Sequence, residues 1–209
     1  MSWYEDGIER LRKGFSSGRT RSLEFRTSEL TSLIRLLSEN EDFICEALHK
    51  DLRKCKFETM VSEIKFTKNE AIYALNNLRG WTEPESVVKP FAMKLDQCFI
   101  QKQPLGLVLI IGAWNYPLQL TLTPLIGAIS AGNCAIIKPS EISPHTSDLL
   151  VRLLPKYLDK ECFAVIPGGP DETSYLLTFP FDKIFFTGSP AIGRLVLKAA
   201  AEHLTPVTL

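Results

Sequence analysis

No apolar run in this 209-residue chain reaches the roughly 18 residues that a membrane-spanning helix needs. The opening stretch, MSWYEDGIERLRKG, carries charge where a secretory leader needs its apolar segment. An excess of either charge is also missing. Lys plus Arg and Asp plus Glu stand at 24 each, which removes the electrostatic case for a nucleic-acid partner. The five cysteines (45, 55, 98, 134, 162) form no C-x-x-C pair, and the three histidines (49, 145, 203) are scattered. That excludes the usual signatures of a zinc site or a disulfide framework. Neither a Walker A sequence nor a G-x-S-x-G elbow occurs, so a P-loop phosphotransferase and an α/β-hydrolase are set aside. The expected setting is cytoplasmic, reducing and soluble.

Glycine and proline are missing from Leu23 to Arg79, and what stands there is helical in pattern. Leu30, Leu33, Ile34 and Leu37 share one face, followed by Ile44, Ala47 and Leu48, then Val61, Ile64, Ala71, Ile72, Leu75 and Leu78. Ser38 with Glu41 has the spacing of a capping box. The basic residues Arg10, Arg12, Lys13, Arg19, Arg21 and Arg26 read as a solvated helix face. TEPESVVKP (82–90) has two prolines and no period, and DQCFIQKQP alternates weakly, as an exposed strand or hairpin would. The division expected is a helical region (1–80), a linker with an exposed strand or hairpin (81–103), and an incomplete Rossmann-like cofactor-binding domain (104–209).

From Pro104 the grammar changes. LVLII (107–111), CAII (134–137), CFAVI (162–166), KIFF (183–186) and TPVTL (205–209) recur with helical stretches between them. Pro117, Ser143-Pro144, Pro170 and Pro190 mark helix starts. Runs that are apolar on both faces and separated by helices predict a doubly wound parallel sheet of about five strands, an α/β fold. TPVTL reads as a central strand of that sheet.

Open parallel sheets bind ligands at the carboxyl ends of their strands. Four loops meet this rule: GAWNYP (112–117), KPSE (138–141), PGGP (167–170) and TGSPAIG (187–193). GSPAIG is half of a dinucleotide fingerprint. It lacks the middle glycine and follows the fourth strand, so alone it is as readily a plain turn. The helix after Ser189 offers N–H groups to a pyrophosphate. Lys138 and Glu141 suit ribose hydroxyls, the ammonium donating and the carboxylate accepting. A helix preamble is the competing reading of KPSE. Asn115, held between Trp114 and Tyr116, is either a turn residue or a placed amide. Cys134 and Cys162 begin their strands, on the wrong side of the sheet for a nucleophile, and read as core thiols.

With these loops in order, PLGLVLIIGAWNYP, AGNCAIIKPSE, FFTGSPAIG and HLTPVTL resemble the aldehyde dehydrogenase superfamily, family 3, nearest its B-type members, over essentially the whole chain. The resemblance implies NAD- or NADP-dependent oxidation of fatty or aromatic aldehydes to carboxylic acids by a homodimer. It implies that Asn115 stabilises the oxyanion, that Lys138 and Glu141 contact the adenosine ribose, and that Gly188, Ser189 and Gly193 adjoin the pyrophosphate. No metal is implied. The family's general-base glutamate opens an E-L-G-G-K motif that would follow Leu209, and its nucleophilic cysteine lies further on. The expectation is therefore a chain truncated before the catalytic domain. Either it belongs to an active parent enzyme, or it is an inert product that binds cofactor weakly or pairs with a full-length subunit. Any membrane attachment would come through a C-terminal segment outside this sequence.

Overall fold

In the computed structural model, which describes residues 2–209 with side chains from Tyr4 onward, the glycine- and proline-free stretch is helical apart from short breaks at Asn40 and at 53–55. The helices are α1 (Ser2–Ser16), α2 (Leu23–Glu39), α3 (Glu41–Leu52), α4 (Lys56–Thr59) and α5 (Phe66–Thr82), with a π-helical segment, Met60–Lys65, joining the last two. Helix α2 buries Leu30, Leu33 and Leu37, and α3 buries Ile44, Ala47 and Leu48, as their spacing requires.

The expected stripe fails at Val61, which is 55% exposed, and at Ile72, which is also exposed. The wide π turn directs both Glu63 and Ile64 inward and leaves Val61 outside, a phase shift that a 3.6-residue period does not anticipate. The Ser38–Glu41 capping box does not form either. Ser38 Oγ donates back to Ile34 O at 2.8 Å within α2, and Asn40 takes the N-cap position of α3.

A two-residue antiparallel ladder, β1 (Glu85–Ser86) with β2 (Phe99–Ile100), follows and is exposed throughout. The parallel sheet then comprises β3 (Leu107–Ile111), β4 (Cys134–Lys138), β5 (Phe163–Val165), β6 (Lys183–Phe186) and β7 (Val207–Thr208) in the order β5-β4-β3-β6-β7. Its crossover helices are α6 (Gln119–Ala131), α7 (Pro144–Tyr157), α8 (Pro170–Leu176) and α9 (Pro190–Ala201), the last three opening on the prolines the sequence marked. Strands β3 and β4 are buried at every residue. The chain is thus α/β with a helical N-terminal region, as expected. Strand β7, expected to be central, is an edge strand among the described residues, because its one pairing is with β6.

The basic segment is not simply a solvated face. Arg26 is buried, and its guanidinium donates to Thr20 O, Arg21 O and, at 3.1 Å, Ser130 O near the end of α6. Arg19 pairs with Asp159 across the molecule at 2.6 Å. Short-range periodicity could not reveal Ser130 and Asp159, which stand more than 100 positions from their partners. The helical region and the sheet consequently share one core, with α1 lying against β3, β4 and β5. Among the described residues, no helix is long and apolar enough to cross a membrane.

Candidate functional site

The strand order reverses beside β3, so loops leaving β3, β4 and β6 diverge to opposite faces and leave a crevice at the carboxyl edge. A cleft of about 530 Å³ occupies that crevice. Its lining includes Asn115, Lys138, Glu141, Gly188 and Ser189, and so brings five of the six expected site residues together. Gly193, the sixth, sits behind the cleft wall in α9. A Cβ there would meet the Phe186 ring at 3.6 Å, an ordinary packing distance, so the close approach of α9 to β6 does not itself require a glycine. Gly188 is under a harder constraint, since a Cβ would come within 2.4 Å of Phe186 Cζ.

Lys138 ends β4 with its side chain 4% exposed, and its Nζ reaches Glu141 Oε2 at 3.1 Å and Pro139 O at 2.9 Å. Burial pushes the Glu141 carboxyl upward. Its own backbone N–H and Lys138 outweigh that and hold it below the usual carboxylate range. Glu141 therefore presents an ionised acceptor to the cleft at neutral pH. Ser189 caps α9, its Oγ accepting from Ile192 N at 3.4 Å. The positive end of that helix faces the same space.

The GAWNYP loop is held from outside itself. Gly112 ends the strand where a Cβ would lie 2.3 Å from Thr121 Cγ2, which lets the first turn of α6 press against the loop. Ser143 takes the expected N-cap position of α7, ahead of Pro144, but its side chain makes no cap bond. Its Oγ donates to Trp114 O at 2.9 Å, while Asp51, at the end of α3, takes over the cap by accepting from His145 N at 3.0 Å and Thr146 N at 2.8 Å. Burial raises the Asp51 carboxyl, and the hydrogen bonds from Thr146 and His145 outweigh it, leaving the group below its ordinary range. Lys54 Nζ donates to Asn115 O at 2.8 Å. The Asn115 side chain itself is exposed to the cleft, and among the described residues no hydrogen bond engages its amide.

Sequence reading missed Lys54, Asp51 and Glu63. The one signal available was a run of polar residues, Thr59, Glu63 and Thr67, on the inward stripe of a helix, all of them buried. The cysteines fall as expected, with Cys134 and Cys162 fully buried at the amino ends of β4 and β5, and the thiol of Cys134 is pushed up by its hydrogen bond with Cys162 and by burial. Among the described residues no cysteine lines the cleft, and no cluster of His, Cys, Asp or Glu is placed to hold a metal.

A doubly wound parallel sheet with a mainly apolar cleft at its carboxyl edge, beside a capped helix N-terminus, defines a Rossmann-like α/β unit. The profile of the aldehyde dehydrogenase family matches residues 4–209, and the chain belongs to that family. It is 54% identical over 209 residues to aldehyde dehydrogenase family 3 member B1 of Bos taurus, covering all of this chain and 45% of that one. It is 46% identical to the "aldehyde dehydrogenase, dimeric NADP-preferring" of Mus musculus, again over all of this chain and 46% of the relative. The structure of Staphylococcus aureus AldH in a substrate-bound state superposes with a TM-score of 0.97 at 41% identity, over 99% of this chain and 45% of that one. The chain spans about half the length of the relatives it matches.

Proposed function

We propose that this chain provides the cofactor cleft and the oxyanion donor of an NAD(P)-dependent enzyme that oxidises fatty or aromatic aldehydes to carboxylic acids. The reading rests on one observation: a single cleft holds the unengaged Asn115 amide, the Lys138–Glu141 pair and the N-terminus of α9. Lys138 and Glu141 would hold the adenosine ribose through its hydroxyls, one donating and the other accepting. Gly188, Ser189 and the start of α9, with Gly193 in its first turn, would adjoin the pyrophosphate. When bound, the nicotinamide supplies the hydride acceptor. As the aldehyde oxygen gains charge under nucleophilic attack, the Asn115 amide donates to it, and a rigid neutral donor needs no reorganisation at that moment. The thiolate is not among the cleft residues of this chain, so the 209 residues alone would bind cofactor without turning over aldehyde. The name of the murine relative, dimeric and NADP-preferring, supports NADP as a cofactor and a dimeric state.

Calorimetric titration of the chain with NAD⁺ and with NADP⁺ tests this. Saturable binding is expected, weakened at least about tenfold by Ser189→Glu, which sets a carboxylate against phosphate, and untouched by Asn115→Ala. Binding that ignores Ser189→Glu would contradict the assignment.

A further inference from the structure

Asn115 does nothing to hold itself in place: its amide has no partner among the described residues, so its aim is inherited from the backbone that carries it. That backbone is gripped by two buried charged residues of the helical region. Lys54, 7% exposed at its side chain, donates to Glu63 Oε1 at 2.6 Å and to Asn115 O at 2.8 Å, and its Nζ lies 3.9 Å from the centroid of the Tyr116 ring. Two hydrogen bonds and a ring face account for all three ammonium N–H groups. Glu63, fully buried, turns its second oxygen to Leu118 N and Gln119 N, each at 3.0 Å, at the start of α6. The ion pair thus ties down the loop on both sides of Pro117.

We propose that Lys54 and Glu63 are positioning residues for the oxyanion donor, a buried ion pair that fixes the direction of the Asn115 amide without touching the reacting atoms. The inference rests on the reading of Asn115 given above. Stability alone would not call for such a pair, because well-packed apolar residues commonly serve a core as well or better. An apolar pair could not hold a carbonyl and two N–H groups at once. Both residues are also aimed by departures from regular backbone. Lys54 follows Arg53, a non-glycine residue at φ 58°, and Glu63 lies in the π-helical segment. Irregular backbone of this kind concentrates where a side chain must be directed.

The test is run in a chain completed with the catalytic half of a family 3 relative. The double substitution Lys54→Met with Glu63→Gln removes both charges together and keeps similar volumes, so no lone buried charge is left. It should lower kcat by about 10- to 100-fold, the scale of an ångström-level misplacement of a catalytic group, with the Kd for NAD⁺ unchanged. Introduced on an Asn115→Ala background, the same pair should cost less than about twofold, because the group it positions is already gone. Glu63→Gln alone should give the same pattern with a smaller loss. A full loss that persists on the Asn115→Ala background, or no loss in the native background, overturns the positioning role while leaving the oxyanion reading intact. If Asn115→Ala by itself leaves kcat unchanged, the oxyanion reading fails and the inference falls with it.

Discussion

With Asn115 as the proposed oxyanion donor, Asn115→Ala, made in a chain carrying the remaining half of its relatives, is expected to lower kcat by about 10²- to 10³-fold, the usual effect of deleting one such donor. The dissociation constant for NAD(P)⁺ does not move with it. The division follows from geometry: Lys138 ends β4 and Glu141 and Ser189 lie on the loops after β4 and β6, whereas Asn115 comes from the loop after β3 and has no bond to any of them. An aldehyde's neutral carbonyl gains little from the amide before attack, and the alkoxide formed afterwards gains much. The change therefore falls on kcat and not on the aldehyde's ground-state binding. Steady-state kinetics beside calorimetry separates the two quantities. A variant that loses cofactor affinity and keeps kcat would place Asn115 in the wrong role.

The second large effect is on stability. Glu63→Ala leaves Lys54 as an unpaired charge in a site where its side chain is only 7% exposed, and removes the acceptor for two N–H groups at the start of α6. Breaking a buried pair from one side costs about 3–5 kcal/mol. That is a large part of the roughly 5–15 kcal/mol that holds a typical domain folded, and it lowers the melting temperature by on the order of 10 °C in a chain of this size. The uncharged pair Lys54→Met with Glu63→Gln should recover most of the difference, since no orphaned charge remains. Thermal melts of the three proteins measure this. A Glu63→Ala melt that coincides with the unsubstituted chain would show that the pair does not hold the loop.

Local patterns carried the sheet well. LVLII and CAII are apolar at every position because parallel strands covered by helices have no solvent face, and Pro144, Pro170 and Pro190 set helix starts by their fixed φ. The loops at the carboxyl ends of β3, β4 and β6 follow from chain order plus right-handed crossovers, which is why Asn115, Lys138, Glu141, Gly188 and Ser189 could be assigned to one rim from the sequence. What stayed hidden depends on contacts between distant segments. Lys54 and Asn115 are 61 positions apart, and Asp51 caps a helix 94 and 95 positions away. A lysine or an aspartate next to a helix end looks solvated until the fold brings its partner. Ser143 shows the same effect in reverse: its sequence context fits a helix cap, and the hydroxyl is spent on Trp114 because Asp51 has already taken the N–H groups. The π turn shifted Val61 out of the core for a reason no hydrophobic period encodes.

The most direct test of the account is a crystal structure of the chain with NAD⁺ bound. The predicted result has the adenosine ribose between Lys138 and Glu141, the pyrophosphate at Ser189 and the start of α9, and the nicotinamide end directed along the cleft toward Asn115. A dinucleotide found elsewhere, for example in the groove lined by Leu105, Pro124 and Phe185 on the sheet face, or one seated in the cleft with its phosphates away from α9, would contradict it.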